Sequence, residues 1–206
     1  MEGIAPVIGR CREARLSFYR WRSGAAVTSR VILSLAMSCF TGLMAQIVVY
    51  LPWTPVPLTG QTLAVLITAT VLGRWGALSQ ALYIAIGLAG VPWFAGASGG
   101  PAVIAGPTFG YLVGFVAAAF MVGTVVDRHE GMRRLIPLFV VMAAANFVVI
   151  LGLGTLYLYA WLGAVRGAAP GLYELLSMGF IPFLPGAAVK TVLAAFIGTA
   201  IMPKER

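Results

Sequence analysis

Few residues in this chain could do chemistry, and the sharpest of them is Lys190, the last residue of GFIPFLPGAAVK (Gly179 to Lys190). If that stretch opens a membrane helix, an ionisable side chain there costs on the order of 2.5–3.5 kcal/mol even on insertion scales. Two readings stand: the lysine snorkels to a nearby outer interface, or a bound solute supplies an acceptor, a carboxylate or a polarised carbonyl. No Asp or Glu lies in any of the apolar runs, and Glu174 would have to reach in from a loop. Gln61 ends LPWTPVPLTGQ, where Pro55 and Pro57 force extended backbone and deliver an amide, donor and acceptor together, to the top of a helix. Asn146 lies near the middle of another apolar run. Capping or helix pairing is the alternative role for Gln61, and helix–helix bonding for Asn146.

A third constellation lies in GVPWFAGASGGPAVIAGPTFG (Gly90 to Gly110), which holds Gly96, Gly99, Gly100 and Gly106 with Pro92, Pro101 and Pro107. Trp93 and Phe94 supply an apolar wall, and Gly99 and Gly100 let backbone N–H groups approach a solute. Gly96 and Ser98 join the same candidate set, and Tyr111 projects near the outer mouth. Gly106, Gly110 and Gly114 repeat every four residues, the small-residue pattern of close helix contact, and are assigned mainly to packing. Gly96-Ala97-Ser98-Gly99 also matches the GxSG pattern of rhomboid intramembrane proteases. Such a serine needs a histidine base, and the only histidine, His129, falls in a polar loop roughly 30 Å away across a bilayer. No enzyme is expected, and the absence of GxxxxGK[ST] excludes ATP hydrolysis through a phosphate loop. Cys11 and Cys39 fall at different depths, so neither a disulfide nor a metal site follows.

These residues are positioned by a chain of 206 residues that is 60% hydrophobic and 10% charged, against roughly 25% charged in ordinary soluble domains. From Val31 to Val126 the only Asp, Glu, Lys or Arg is Arg74. The expected fold is an all-α integral membrane protein with about six transmembrane helices, in a basic segment 1–30 followed by a membrane domain 31–206. The crossings are placed at Val31 to Leu51, Leu58 to Leu72, Trp75 to Gly90, Pro107 to Val126, Leu135 to Tyr157 and Ala187 to Met202. The second and third are short, either steeply packed helices or a re-entrant pair buried in protein. The net charge of +8 forms no groove-lining patch for nucleic acid. With both termini cytoplasmic, 12 of the 14 basic residues fall inside, only Arg166 falls outside and Lys190 lies within a helix. Nine of the twelve prolines fall in the opposite, external connections, which marks the outer face as the working face.

In PVPLTGQ (Pro55 to Gln61), the stretch from Gly90 to Phe115, and PFLPGAAVK (Pro182 to Lys190), the sequence resembles the BioY family. BioY proteins are the biotin-specific S components of energy-coupling-factor (ECF) transporters. The likeness runs from about Val31 to Met202 and leaves out the arginine-rich N-terminus. It implies six membrane helices, a biotin pocket near the outer surface, a transmembrane coupling protein and two ATP-binding subunits as partners, and residence in the cytoplasmic membrane. No cofactor is implied beyond biotin as transported ligand. The family's last block carries an Asp where this chain has Ala187; the resemblance gives that Asp and the Lys the task of holding the ligand. Gln61, Ser98, Asn146, Tyr111 or a backbone carbonyl are the candidate replacements, with Lys190 on the ureido carbonyl or the valerate carboxylate. In ECF systems the first helix meets the coupling protein through small residues four apart, a pattern that Ser34, Ser38 and Gly42 fit; intramolecular packing is the alternative. The other functional class is a self-sufficient carrier, alone or as an oligomer, for biotin or a related small carboxylate.

Overall fold

The computed structural model describes residues 4–203; the side chains of residues 4–12 and of Ser23 lie outside the described residues, as do the expectations placed on Arg10, Cys11, Arg12, Lys204 and Arg206. The basic flank is a helix, α1 (Ile4–Gly24), and α2 (Val27–Ala45) follows at once. The first apolar run therefore stops short of Leu51. Val48–Val49 (β1) instead pairs antiparallel with Leu58–Thr59 (β2), Val48 opposite Thr59, as β-branched residues favour. The second run likewise starts later than Leu58, with α3 at Gln61–Leu72. A short 3₁₀ turn at Gly73–Trp75 leads into α4 (Gly76–Leu88), and α5 (Phe109–Arg128) is the fourth run. The fifth extends beyond Tyr157: α6 (Leu135–Ala143), a π-helical segment (Ala144–Ile150) and α7 (Leu151–Arg166) form one continuous rod. α8 (Leu172–Gly179) and α9 (Leu184–Ile201) close the chain, with Pro185 in the first turn of α9 where its missing N–H costs nothing.

Among the described residues, five helical stretches are long and apolar enough to cross a membrane, and one of them, Gln61–Leu88, is the α3–α4 pair. That pair is a hairpin, because Gln61 Nε2 donates to Tyr83 OH at 2.7 Å across 22 positions of sequence. Each arm is about 18–20 Å long, well under the roughly 30 Å of a bilayer core. Neither could stand alone in lipid; α3 is enclosed by α2, α4, α5 and α9, and nearly every residue from Ala64 to Leu72 is buried.

The turn of the hairpin is fixed by two glycines and one carboxylate. A β-carbon on Gly123 of α5 would lie 2.1 Å from the Gly73 carbonyl oxygen, so backbone meets backbone there. Gly73 takes φ +62°, a left-handed value that glycine alone adopts freely. Asp127, one turn further along α5, accepts the Arg74 N–H at 2.9 Å and pairs with Arg22 of α1 at 2.6 Å. Arg22 also donates to the Val71 carbonyl at 3.2 Å and lies 4.1 Å from the centre of the Tyr19 ring, so α1 is tied to the same end of the bundle.

We expect Gly73→Ala to lower the melting temperature of the detergent-solubilised protein, since left-handed backbone costs a β-carbon about 1–2 kcal/mol and the methyl would meet the Asp127 carboxylate at 2.2 Å. Gly163→Ala, whose new β-carbon would have its nearest neighbour at 3.9 Å, should leave it unchanged. Equal melting temperatures for the two variants would remove the turn from this role.

Candidate functional site

The far end of the hairpin borders a hollow. Gly73 meets Gly123 and α3 runs in the same direction as α5, so twelve residues back along α3 Gln61 lies level with Tyr111, within the first turn of α5. The hollow is a cavity of about 280 Å³, near the lower end of ordinary small-ligand sites. Its wall is apolar over most of its area, with Phe94, Tyr111, Leu112, Phe115 and Phe183 as the large side chains.

Two connections roof it. The first, Gln46 to Gly60, is pinned to the end of α8 by Thr54, whose hydroxyl donates to the Met178 carbonyl at 2.6 Å. The second, Ala89 to Thr108, is held to α7 by Trp161 Nε1 on the Ala105 carbonyl at 2.7 Å and by Tyr157 OH on the Ile104 carbonyl. Gln46 joins the two roofs: its amide N–H groups reach the Trp93 and Phe94 carbonyls at 3.1 and 3.2 Å, and its oxygen accepts the Ala97 N–H at 3.1 Å.

Polar groups collect at one end. Lys190 Nζ donates to the Thr59 carbonyl at 2.7 Å, and Thr59 Oγ1 donates to Gln61 Oε1 at 2.7 Å. Gln61 passes the chain to Tyr83 OH, which reaches the Trp93 carbonyl at 3.3 Å. No carboxylate pairs with Lys190 among the described residues; Glu174 pairs instead with Arg166. Two of the three ammonium protons are therefore available to an occupant. Thr62 on the same wall has a buried hydroxyl without a protein partner.

The structure brings Gln61, Phe94, Ser98, Tyr111 and Lys190 together on the cavity wall. Tyr111 contributes its ring, since its hydroxyl donates to the Gly179 carbonyl at 2.6 Å. Ser98 Oγ donates to the Ala95 carbonyl, and His129 lies past the opposite end of α5. Trp93 stands behind the wall: its indole N–H donates to the Tyr83 carbonyl at 2.9 Å and its ring lies on Gly42 and Tyr83. Gly96, Gly99 and Gly100 shape the roof. A β-carbon on Gly96 would meet Tyr50 OH and one on Gly99 the Val91 carbonyl, while the Gly100 N–H bonds the Gly87 carbonyl at 2.8 Å. Asn146 lies off the wall, fully buried in the π-helical segment, donating to Thr191 Oγ1 at 2.9 Å and to the Ala187 carbonyl at 3.3 Å. Ser38 packs α2 against α4, its Oγ donating to the Ser34 carbonyl at 2.7 Å and lying at the same distance from the Ser79 carbonyl, while Ser34 is buried and Gly42 lies under the Trp93 ring.

Sequence reasoning missed Tyr50, Thr59, Thr62, Thr108, Phe115 and Phe183 on this wall. Phe115 carried a signal, four residues after Tyr111 on one helix face. Thr59 did not, because it enters through a backbone carbonyl.

Tyr83→Phe should lower the melting temperature by an amount equivalent to about 1–2 kcal/mol, because the buried Gln61 amide loses its acceptor. Tyr157→Phe, whose hydroxyl bonds at an exposed position, should cost less. The reverse order would remove Gln61 from the core of the polar network.

The BioY family model matches residues 15–205 of this chain. A probable biotin transporter BioY from Methanothermobacter thermautotrophicus is 48% identical over 67% of this chain and 88% of its own length. Biotin transporters BioY from Thermotoga maritima and Rhodobacter capsulatus are 34% and 35% identical, over 75% and 78% of this chain and 86% and 90% of theirs. A crystal structure of the S-component for biotin from an ECF-type ABC transporter superposes with a TM-score of 0.73 over 84% of this chain and 89% of that one, a likeness of fold at 21% identity. From the extent of these matches, this chain belongs to the BioY family.

Proposed function

We propose that this chain captures biotin in the cavity between α3, α5 and α9 and serves as the substrate-binding subunit of an ECF-type transporter. The observation that carries the reading is Lys190, a cation inside a membrane helix at the polar end of an otherwise apolar cavity, without a carboxylate partner among the described residues. Biotin is itself two-ended, an apolar bicycle and chain with a ureido group at one end and a carboxylate at the other. A single ammonium suits either acceptor, and the aromatic wall suits what lies between.

The relatives' names as biotin transporters support the ligand, and the S-component fold supports a subunit that works beside others. We place both termini on the cytoplasmic side of the cytoplasmic membrane, because Arg22, Arg74, Arg128 and Arg133 gather at the end of the bundle away from the cavity. A coupling protein and two ATP-binding subunits would then supply the energy from that side. With Ser38 turned onto α4 and Ser34 buried, we propose that they set how closely α2 lies on its neighbour, and that the outward side of α2, where Ile32 and Leu35 are exposed, meets the coupling protein.

Calorimetry on the purified protein tests the ligand and the lysine together. Biotin should bind, and Lys190→Ala should weaken it at least about tenfold, since a hydrogen bond to a charged group contributes about 1.5–3 kcal/mol. Unchanged affinity in that variant would take Lys190 out of the site; wild-type protein indifferent to biotin would end the proposal. A biotin analogue without the carboxylate assigns the ammonium: it loses the same factor only if Lys190 meets that group. Ala187 lies three residues before Lys190 on α9 and is buried, so Ala187→Asp would set a carboxylate near the ammonium. We expect affinity kept or raised, and abolished binding would show that the family's geometry does not transfer here.

A further inference from the structure

At the opposite end of the bundle, a second cavity of about 360 Å³ opens between α1, the α3–α4 turn and α5. Its wall carries four arginines, Arg22, Arg30, Arg74 and Arg128, and one carboxylate, Asp127. That carboxylate is already committed to the Arg22 ion pair and the Arg74 N–H. The guanidinium groups of Arg74 and Arg128 are exposed, and neither forms an ion pair among the described residues. The excess of positive charge repels itself, and an anion drawn into the hollow would relieve that repulsion.

The rest of the wall indicates what kind of anion. Thr124 has an enclosed hydroxyl without a hydrogen-bond partner. Burial holds the Tyr19 phenol above its ordinary pKa of 10.0, against the opposing pull of Arg22 and Arg133, so it remains a neutral donor across physiological pH. The other flank is apolar: Leu72, Trp75 and Phe120 line it, and Phe120 is 56% exposed on the outer side of α5, a helix apolar enough to cross a membrane. A soluble anion has no use for a flank that opens towards hydrocarbon; a molecule with a phosphate and acyl chains fits both sides.

We propose that this cavity binds the phosphate of an acidic glycerophospholipid, with Arg74 and Arg128 on the phosphodiester and Phe120 against an acyl chain. The chemistry of a basic hollow between membrane helices at the headgroup level is that of anionic lipid retention. It also gives the arginine-bearing α1 a task, since Arg22 closes one wall of the hollow while its pairing with Asp127 fixes the wall opposite.

The test titrates the full-length protein, in neutral detergent, with phosphatidylglycerol, phosphatidylcholine and inorganic phosphate, reading bound lipid by native mass spectrometry. Phosphatidylglycerol should bind at least about fivefold tighter than phosphatidylcholine, and R74Q/R128Q should erase the preference, since each arginine near a lipid surface is worth about fivefold. R128Q alone, at the exposed last turn of α5, should reduce it in the same direction and places little demand on folding. R15Q/R134Q removes two exposed arginines outside the hollow and should keep the preference. Equal losses in the two double variants would reduce the effect to general surface charge and overturn the site. Displacement of phosphatidylglycerol by submillimolar phosphate would make the ligand a soluble phosphate and overturn the lipid. A preference that survives R74Q/R128Q would overturn the site.

Discussion

The contact on which this bundle depends is a patch of bare backbone, where the Gly73 carbonyl lies against Gly123 of α5. Neither position tolerates a β-carbon there, and the left-handed φ of Gly73 reverses the chain in three residues. Asp127 then makes the reversal specific by accepting the Arg74 N–H while holding Arg22. A carboxylate at a helix C-terminus is poorly placed with respect to the macrodipole, so it persists because the neighbouring guanidinium and N–H more than offset that cost.

From that contact the level of the candidate cavity follows. Fixing the turn at one end sets Gln61 level with Tyr111 of α5. The cavity lies there, lined by Gln61 and Thr59 and roofed by two connections that rest on α7 and α8. The aromatic packing behind it is equally dependent on small residues: the Phe94 ring occupies the space a β-carbon on Gly87 would need, and Tyr111 lies on Gly154. Large rings and absent side chains are paired, so the wall is closely packed.

The two ends of the molecule divide the labour through charge. One end concentrates arginine, with Asp127 committed to Arg22 and Glu130 beside Arg133; the other holds Lys190 tied to a backbone carbonyl and the Arg166–Glu174 pair. Between them the helices are uncharged, so Lys190 acts on its own surroundings in a low dielectric, while Arg74 and Arg128 stand exposed at the other end. The π-helical segment adds a buried amide between these ends, with Asn146 stitching the long rod to α9 through Thr191 and the Ala187 carbonyl.

Much of this was legible in the amino-acid order. The run from Val31 to Val126, charged only at Arg74, required a membrane solvent, and the sorting of arginine against proline distinguished the two ends, because charge placement and backbone restriction are local properties of residues. Lys190 and Gln61 stood out for the same reason: a polar group in an apolar run is costly wherever the run folds. What the tertiary structure alone decided was which polar groups meet. Thr59 and Tyr83 gain their roles from a hairpin that sets residues 22 positions apart within 2.7 Å, and Trp93 and the loop glycines form the support of the wall rather than its surface. Asn146 looked as ligand-like as Gln61 in sequence, yet its amide is directed to a helix partner. Local patterns state which groups require a partner; the packing of backbone on backbone determines which partner lies within reach.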